Sequence, residues 1–157
     1  MKMLTDSREQ LPLSFPYKYV SSTEVKKLDV GDYSCMFEDG YEVPVYFDRK
    51  SIADMVGTFT NSKKVKNFDR FKREIQRAKD ANVKLILIIE GSFSKVLKGT
   101  KYSKRKGVSI VKQAFTLFFK YGVPTIYCTN REEMARYIYE YYCKIGELRS
   151  KGIEVTL

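Results

Sequence analysis

Two aspartates and a lysine in the first third of the chain have the residue types and spacing that best fit a chemical role. Asp32 follows a glycine, and Asp48 and Lys50 lie two apart in a stretch typical of a strand. Residues two apart in a strand project from the same face, so Asp48 and Lys50 point together. If the intervening hairpin returns the chain to Asp32, two carboxylates and one ammonium converge.

Such a cluster is suited to a magnesium ion with a lysine beside it. The metal polarises a phosphate and lowers the pKa of a bound water, and the lysine orients that water or offsets charge in the transition state. The alternative is a surface salt bridge, because pairs of aspartate with a nearby lysine occur in many proteins. The spacing by itself leaves both interpretations open.

The composition excludes several other kinds of catalytic site. The 157 residues include no histidine, which excludes a Ser-His-Asp triad, a histidine general base and histidine-ligated zinc. Cys35, Cys128 and Cys143 form no C-x-x-C pair, so we expect buried reduced thiols rather than a zinc cluster. Hydrolytic chemistry would therefore depend on Asp, Glu, Lys, Arg, Tyr and a hard metal ion.

The net charge of +10, from 29 Lys and Arg against 19 Asp and Glu, points to a polyanionic partner, usually nucleic acid. An anionic membrane surface and simple solubility are the alternatives, but the charge is spread over folded-looking segments. No stretch approaches the roughly 18 apolar residues of a membrane span, and the polar N-terminus is unlike a secretory signal. We expect one domain in an intracellular protein, cytoplasmic or associated with the nucleoid.

The elements that would position the cluster are predicted to form α/β layers, in which helices flank a mixed β-sheet. Alternating residues in the first half predict a meander of strands at 2–4, 24–28, 33–37 and 43–50. Asp39-Gly40 is the hairpin turn before the last of them. The second half is predicted to alternate helices at 67–81, 109–121 and 132–148 with strands at Lys84–Glu90 and Thr125–Cys128. Gly122 is expected to cap the helix at 109–121.

Several stretches around these residues resemble the XPF family of structure-selective endonucleases. They read D-S-R-E at 6–9, L-D-V-G-D-Y at 28–33 and D-R-K-S-I-A-D at 48–54. The similarity continues in the same order through N-F at 67–68, I-I-E-G-S at 88–92 and Y-G-V-P-T-I at 121–126. It therefore covers almost the whole chain.

The resemblance implies a single restriction-endonuclease-like domain over residues 1–157. It also implies Mg²⁺- or Mn²⁺-dependent cleavage of branched, flapped or forked DNA, in repair or recombination. By position, Asp32 and Asp48 would bind the metal and Lys50 would be the catalytic lysine. The residues expected to support them are Asp6, Arg8, Glu9, Arg49 and Asp54.

Three departures from the family accompany the resemblance. Asp48 stands where the family usually has glutamate, which shortens the ligand by one methylene. Residues 11–19, with Pro12 and Pro16, replace the helix expected after D-S-R-E. We also expect no tandem helix-hairpin-helix module within the chain.

Two other functions are alternatives to an active nuclease. One is a catalytically silent DNA-binding subunit that pairs with an active partner, and the other is a sequence-specific restriction enzyme. The retained Asp32, Asp48 and Lys50 disfavour the silent subunit. No base-reading element is identifiable, which disfavours the restriction enzyme.

Two groups of cations are candidates for contacting a DNA backbone. One face of the helix predicted at 67–81 carries Lys66, Arg70, Arg73 and Arg77, opposite the apolar face. A glycine-flanked loop carries Lys98, Lys101, Lys104, Arg105 and Lys106, and Lys63 and Lys64 extend the same surface. The alternative for both groups is an ordinary solvated surface.

The helices predicted at 109–121 and 132–148 carry more apolar surface than a sheet face covers. The second of them has Tyr137, Tyr139 and Tyr142 outside its main apolar row, and this excess of aromatic residues favours a self-interface. Members of the XPF family dimerise through these two helices. The resemblance therefore implies a homodimer.

Overall fold

The structure is a computed structural model that describes residues 1–60, 66–99 and 104–155. In these ranges the strands are Lys2–Asp6 (β1), Ser22–Lys26 (β2), Tyr33–Met36 (β3), Val45–Ser51 (β4), Lys84–Glu90 (β5) and Thr125–Cys128 (β6). The helices in the same ranges are Ile52–Thr58 (α1), Asn67–Asp80 (α2), Phe93–Lys98 (α3), Gly107–Tyr121 (α4) and Arg131–Ser150 (α5).

The strands form one mixed sheet in the order β2-β1-β3-β4-β5-β6. β1 runs parallel to β2 and antiparallel to β3, and β3 runs antiparallel to β4. β4, β5 and β6 are parallel to one another. The predicted α/β architecture, a mixed sheet flanked by helices, is confirmed.

The predicted meander at the front of the sheet is wrong, because β1 lies between β2 and β3. The connection from β1 to β2 is long enough to bring the chain back to the start of β1, so β2 enters parallel to it. Pro12 and Pro16 exclude a regular helix from this connection. It packs on one face of the sheet instead, with Leu13 and Phe15 buried. The expectation that residues 11–19 form no helix is confirmed.

Two glycines, one in a turn and one at a helix end, adopt a left-handed backbone conformation, which costs glycine little. Gly40 has φ +81° in the turn between β3 and β4, where the Phe37 amide donates to the Tyr41 carbonyl at 2.9 Å. Gly122 has φ +72° and donates to the Phe118 carbonyl at 2.9 Å. The predicted hairpin and the predicted helix cap are both confirmed.

β5 is buried on both faces between β4 and β6, as its continuous apolar sequence predicts. The side chains at 85, 87 and 89 pack with α1, α2 and α4 on one face of the sheet. Those at 86 and 88 pack with α5 on the other face. The core therefore has two layers, and in β4 Val45 and Phe47 belong to one of them while Tyr46 packs against the other.

The predicted helices are confirmed with their ends shifted by one or two residues. α1 and α3, of 7 and 6 residues, escape prediction because neither is long enough for an amphipathic repeat. Each begins at a serine cap. Ser51 Oγ accepts a hydrogen bond from the Asp54 amide at 3.1 Å, and Ser92 Oγ accepts one from the Lys95 amide at 3.2 Å. These capping serines were the feature of the sequence that could have predicted where the two short helices begin.

The three cysteines are free thiols. Cys35 and Cys128 are buried, as expected, whereas Cys143 is partly exposed. Among the described residues, no helix combines the length and the apolar character needed to cross a membrane.

Candidate active site

Asp48 and Lys50 form an ion pair inside the protein. Lys50 Nζ lies 2.8 Å from Asp48 Oδ1. Their side chains are 5% and 15% exposed respectively, so the alternative of a surface salt bridge is wrong. The ammonium also lies 5.1 Å from the centroid of the Phe71 ring on α2. The predicted common orientation of Asp48 and Lys50 is confirmed, and they face the α2 side of the sheet.

The turn at Gly31 brings Asp32 against β4. Gly31 has φ +64°, and a Cβ at this position would lie 3.0 Å from the Phe47 carbonyl oxygen, so a side chain would be strained and crowded there. The Asp32 amide donates to the Phe47 carbonyl at 2.8 Å. Asp32 Oδ2 in turn accepts from the Arg49 amide at 2.7 Å. Asp32 is thus aimed by backbone contacts on both sides.

Asp32 meets β4 at Arg49, the residue between Asp48 and Lys50, and its carboxyl group interacts with both of their side chains. Burial, followed by the charge of Asp48, raises the pKa of Asp32 to about 8, although the Arg49 amide and Lys50 oppose the shift. Burial acts to lower the pKa of Lys50, but the charge and hydrogen bond of Asp48 outweigh it, so the pKa is raised. Lys50 therefore stays an ammonium, and Asp32 is costly to ionise in the metal-free protein.

Glu74 of α2 is a third carboxylate at the same place, and the sequence analysis misses it. Its Oε1 accepts the Gly31 amide at 3.0 Å. Burial, followed by the charge of Asp48, raises the pKa of Glu74. A signal was present in the sequence: Glu74 lies three residues after Phe71 and four before Ala78, on the buried stripe of the helix. A single acid at such a position is unusual unless it has a partner inside.

The donor set fits a hard divalent cation. Asp48 Oδ2 is buried and has no hydrogen-bond partner among the described residues, and a buried carboxylate oxygen without a partner is costly. Oxygen ligands are those that Mg²⁺ and Mn²⁺ prefer. In the described ranges, no three acidic or cysteine side chains already stand at ligand positions around one point. A cation held here would therefore keep several waters, as Mg²⁺ commonly does.

Asp6 and Arg8 brace the loop that leads to Asp32. Asp6 is 1% exposed, and its carboxylate accepts from Arg8 Nε at 2.8 Å, from Arg8 Nη2 at 2.7 Å and from the Leu28 amide at 2.9 Å. Burial acts to raise the pKa of Asp6, but these hydrogen bonds outweigh it and the pKa is lowered. The Asp6 amide also donates to the Asp32 carbonyl at 2.8 Å. Both residues therefore act through the backbone around Asp32.

Arg49 anchors the amide that holds Asp32. Its guanidinium contacts Glu9 through Nε and Nη2, both at 3.2 Å, and Glu90 through Nη1 at 2.9 Å. Arg131 of α5 lies 3.6 Å from the same Glu90 carboxylate and donates to the Leu11 carbonyl at 2.6 Å. Glu90 and Arg131 are further residues that sequence reasoning misses. The sequence feature that could have indicated Glu90 is its position as the charged last residue of the apolar strand β5.

Asp54 caps α1 and does not contact the cluster. Its Oδ2 accepts from the Ser51 amide at 3.4 Å, which completes a capping box, and also from Ser51 Oγ at 2.6 Å. It also lines a groove of about 410 Å³ between α1 and α2, together with Lys50, Arg70 and Glu74. This groove gives solvent and a ligand access to the lysine.

The predicted cationic face of α2 is exposed, while Phe71 and Ile75 are buried behind it. Arg77 also donates from Nε to the Asp29 carbonyl at 3.1 Å, which ties the helix to the loop before Gly31. The exposed residues of this face are Lys66, Arg70, Arg73 and Arg77. Lys66 precedes the helix that carries Glu74 and the other three lie on it, with Arg70 lining the groove.

Arg105 differs from its neighbours in the second cationic group. Its guanidinium donates to the Phe59 carbonyl at the end of α1 and lies 3.4 Å from Ser109 Oγ on α4. It therefore joins two helices, whereas Lys104 and Lys106 are exposed. Lys98 ends α3 and is also exposed. The remaining lysines of this prediction, Lys63, Lys64 and Lys101, lie outside the described residues.

The aromatic residues expected at a self-interface divide between core and surface. Tyr142 is fully buried and donates to the Val45 carbonyl at 2.9 Å, and Tyr139 is also buried, so the expectation for these two is wrong. Tyr137 is partly exposed, and on α4 Phe119 is 82% exposed with Phe115 beside it on the surface. α4 and α5 cover opposite faces of the sheet, so their exposed aromatic residues do not form one continuous patch on a single face.

Two solved structures share this fold. XPF from Aeropyrum pernix matches with a TM-score of 0.63 at 16% identity, over 94% of this chain and 68% of that chain. The same protein in complex with DNA matches with a TM-score of 0.65 at 17% identity, over 99% and 68%. These likenesses bear out the restriction-endonuclease-like fold that the resemblance implies.

No curated protein sequence matches the chain. The family model of the ERCC4 domain matches residues 5–141, which run from the end of β1 into α5 and include Asp32, Asp48 and Lys50. This match covers most of the chain and agrees with the resemblance found in the motifs. The chain therefore belongs to the ERCC4 domain family, a family of DNA endonucleases.

Proposed function

We propose that this protein is an active, divalent-metal-dependent endonuclease that hydrolyses phosphodiester bonds in branched, flapped or forked DNA, in repair or recombination. The observation that carries the proposal is the buried Asp48–Lys50 pair beside Asp32, with Asp48 Oδ2 left without a partner. Burying such charges costs stability unless they are compensated. A structural role would be served as well by apolar residues, so the cluster is better explained by metal binding.

Each residue of the cluster has a role in the proposed hydrolysis. Asp32 and Asp48 would hold the cation, which polarises the scissile phosphate and lowers the pKa of the attacking water. Lys50, kept protonated by Asp48, donates hydrogen bonds to the water or to the phosphate oxygen that gains charge. Arg49 holds Asp32 through its backbone amide and is itself held by Glu9 and Glu90.

The DNA backbone is proposed to follow the cationic face of α2 past the groove at Lys50. Arg70 lines the groove, and Arg73 is exposed one turn further along the helix. Such cations give affinity without reading sequence, which fits an enzyme selective for DNA shape. The solved complex of the similar XPF protein with DNA supports a DNA substrate. Lys63, Lys64 and Lys101 remain proposed contacts outside the described residues.

A homodimer is proposed at the β6 edge of the sheet. Within the described ranges β6 pairs with β5 alone, and an unprotected strand edge invites pairing or coverage. Phe119 of α4 and Tyr137 of α5 are exposed aromatic residues on the two helix layers. A second copy placed there would cover both helices and the edge at once.

A cleavage panel tests the proposal. Duplex, single strand, 3′ flap, fork and Holliday junction are each incubated with magnesium, manganese or chelator. We expect metal-dependent cleavage of one or more branched substrates by the wild type, and loss of cleavage by orders of magnitude in Asp48→Asn with little loss of DNA affinity. Asp80→Asn, on the exposed end of α2, is the matched control for loss of one carboxylate and should cut normally.

The outcomes separate the proposed function from its main alternative. A wild type that binds the branched substrates and cuts none of them in either metal is a silent DNA-binding subunit. A wild type that cuts in chelator contradicts the metal mechanism. An Asp48→Asn variant that cuts like the wild type places the chemistry elsewhere in the chain.

A further inference from the structure

α2 contacts the candidate metal site at three successive turns. Phe71 lies under the Lys50 ammonium, with Nζ 5.1 Å from the ring centroid. Glu74 accepts the Gly31 amide at 3.0 Å, and one turn later Arg77 donates to the Asp29 carbonyl at 3.1 Å. The Phe71 contact is explained by packing, and the Arg77 contact is explained by the anchoring of the loop before Gly31. Glu74 differs, because placing its carboxylate beside two other carboxylates costs free energy through repulsion. A single hydrogen bond from the Gly31 amide does not require a charged acceptor.

The charge balance at the site is unfavourable without a cation. Asp32, Asp48 and Glu74 bring three carboxyl groups together, and each of them interacts with the Lys50 ammonium. Arg8, which is paired with Asp6, also interacts with Asp32 and Glu74, and Arg77 interacts with Glu74. Arg49 does not offset the three carboxyl groups, because its guanidinium is engaged by Glu9 and Glu90. The charge of Asp48 repels both Asp32 and Glu74, and a divalent cation placed among the three carboxyl groups would relieve this repulsion.

The arrangement of the side chains favours contact between Glu74 and the cation through a water over direct ligation. Among the described residues no three acidic side chains stand at ligand positions around one point. The groove that Glu74 lines has about 410 Å³ of open volume, and a water occupies about 30 Å³. Hydrated Mg²⁺ keeps several of its waters in protein sites. A carboxylate at the wall of this groove is suited to accept a hydrogen bond from such a water.

We propose that Glu74 is a third acidic residue of the metal site, which binds the divalent cation through one of the cation's own waters. The inference rests on the proposed function, since it assigns a partner to the cation bound by Asp32 and Asp48. Glu74 then has two roles on its two oxygens. Oε1 holds Gly31, and so the direction of Asp32, while the carboxylate charge and Oε2 act on the hydrated cation.

Substitution by glutamine separates these two roles. The amide oxygen of glutamine still accepts the Gly31 amide, but the negative charge is lost. We expect Glu74→Gln to bind Mn²⁺ about ten- to hundredfold more weakly than the wild type, the usual effect of removing an outer-sphere partner. Isothermal titration calorimetry with Mn²⁺ alone, without DNA, measures this. Asp80→Asn removes a carboxylate from the same helix and should bind Mn²⁺ as the wild type does.

Thermal unfolding provides a second readout that does not depend on binding strength alone. In chelator, Glu74→Gln should melt at a higher temperature than the wild type, because the repulsion between Glu74 and Asp48 is removed. In excess Mn²⁺ the order should reverse or the difference should disappear, because the wild type gains more from the cation. A residue that only supports Gly31 would produce neither the gain in chelator nor the change with metal.

Each outcome decides one question. A wild type that binds no Mn²⁺ overturns the proposed function, and this inference with it. A wild type that binds Mn²⁺ while Glu74→Gln binds equally well overturns the role of Glu74 and leaves the proposed function standing. A Glu74→Gln variant that unfolds, or that melts below the wild type in chelator, also overturns the proposed role of Glu74. The charge of Glu74 would then stabilise the metal-free fold.

Discussion

Replacing Asp32 with asparagine should stabilise the metal-free protein at alkaline pH while abolishing cleavage. Burial, followed by the charge of Asp48, raises the pKa of Asp32 from its ordinary 3.8 to about 8. The folded state therefore binds this proton more tightly than the unfolded chain does. In consequence the free energy of unfolding falls as the pH rises between about 4 and about 8, and the loss is complete above that range.

The size of the effect follows from the two pKa values. A pKa that rises from 3.8 to about 8 corresponds to on the order of 5 kcal/mol of destabilisation once Asp32 is ionised. Asparagine removes this cost and still accepts the Arg49 amide. It also deprives Lys50 of one attractive charge, so we expect a smaller net gain, about 2 to 3 kcal/mol at pH 9.

Urea denaturation of wild type and Asp32→Asn in chelator, at pH values from 4 to 9, measures the effect. The two free energies of unfolding should converge at pH 4 and separate progressively towards pH 9, with the variant the more stable. Other titrating groups, such as Asp6 with its lowered pKa, affect both proteins alike and cancel in the difference. Adding Mn²⁺ at pH 8 should stabilise the wild type and leave the variant nearly unchanged.

Curves that stay parallel over the whole pH range would refute the reasoning, because Asp32 would then titrate alike in both states. A variant that becomes less stable towards pH 9 would contradict it more strongly. It would mean that the ionised Asp32 stabilises the metal-free fold through Lys50 and the Arg49 amide.

Four further predictions follow from the site and its surroundings. Asp48→Glu should stay active and narrow the advantage of Mn²⁺ over Mg²⁺ in cleavage rate, because the longer ligand suits the stricter geometry of Mg²⁺. Arg105→Ala should lower the free energy of unfolding by about 1 to 3 kcal/mol, since it leaves the Phe59 carbonyl without its charged donor. Replacing Lys104 and Lys106 with glutamine should spare stability and reduce the salt dependence of DNA binding by about 0.7 to 0.9 in log–log slope per lost contact. Phe119→Glu should dissociate the proposed dimer in light scattering, because it places a charge in an apolar contact.

Each of these predictions has a contrary result. An Arg105→Ala variant as stable as the wild type would mean that the contact with the Phe59 carbonyl contributes nothing to stability. An Asp48→Glu variant inactive in both metals would mean that the backbone of β4 has already compensated for the shorter side chain. An unchanged salt slope would make Lys104 and Lys106 ordinary solvated residues. A wild type that scatters as a monomer at micromolar concentration would remove the dimer before any variant is made.

The periodicity of apolar residues predicted the helices and strands well where these elements are long enough to show a repeat. β5 is apolar throughout and is found with the predicted bounds, and the long helices shift only at their ends. Which strands pair with each other was harder to predict from the sequence. Pairing depends on where a connection brings the chain, and no local sequence pattern records this. The proline-containing connection before β2 looks like a loop in sequence, yet it decides that β2 lies parallel to β1.

The sequence by itself determined which residues share a face. The two-residue period of a strand places Asp48 and Lys50 together, and a glycine at 31 permits the turn that presents Asp32. Zero histidines and the collinear motifs narrowed the chemistry further. These inferences hold because they depend on covalent geometry and composition, which are the same before and after folding.

Only the tertiary structure decided what surrounds those residues. Glu74 is 42 positions after Asp32 in the sequence and reaches the site because α2 packs across the sheet face that Asp48 and Lys50 share. Burial then shifts the pKa of Asp32, separates Arg105 from its exposed neighbours and places Tyr142 in the core. Desolvation and the meeting of distant charges are properties of packed elements, so no local pattern in the chain encodes them.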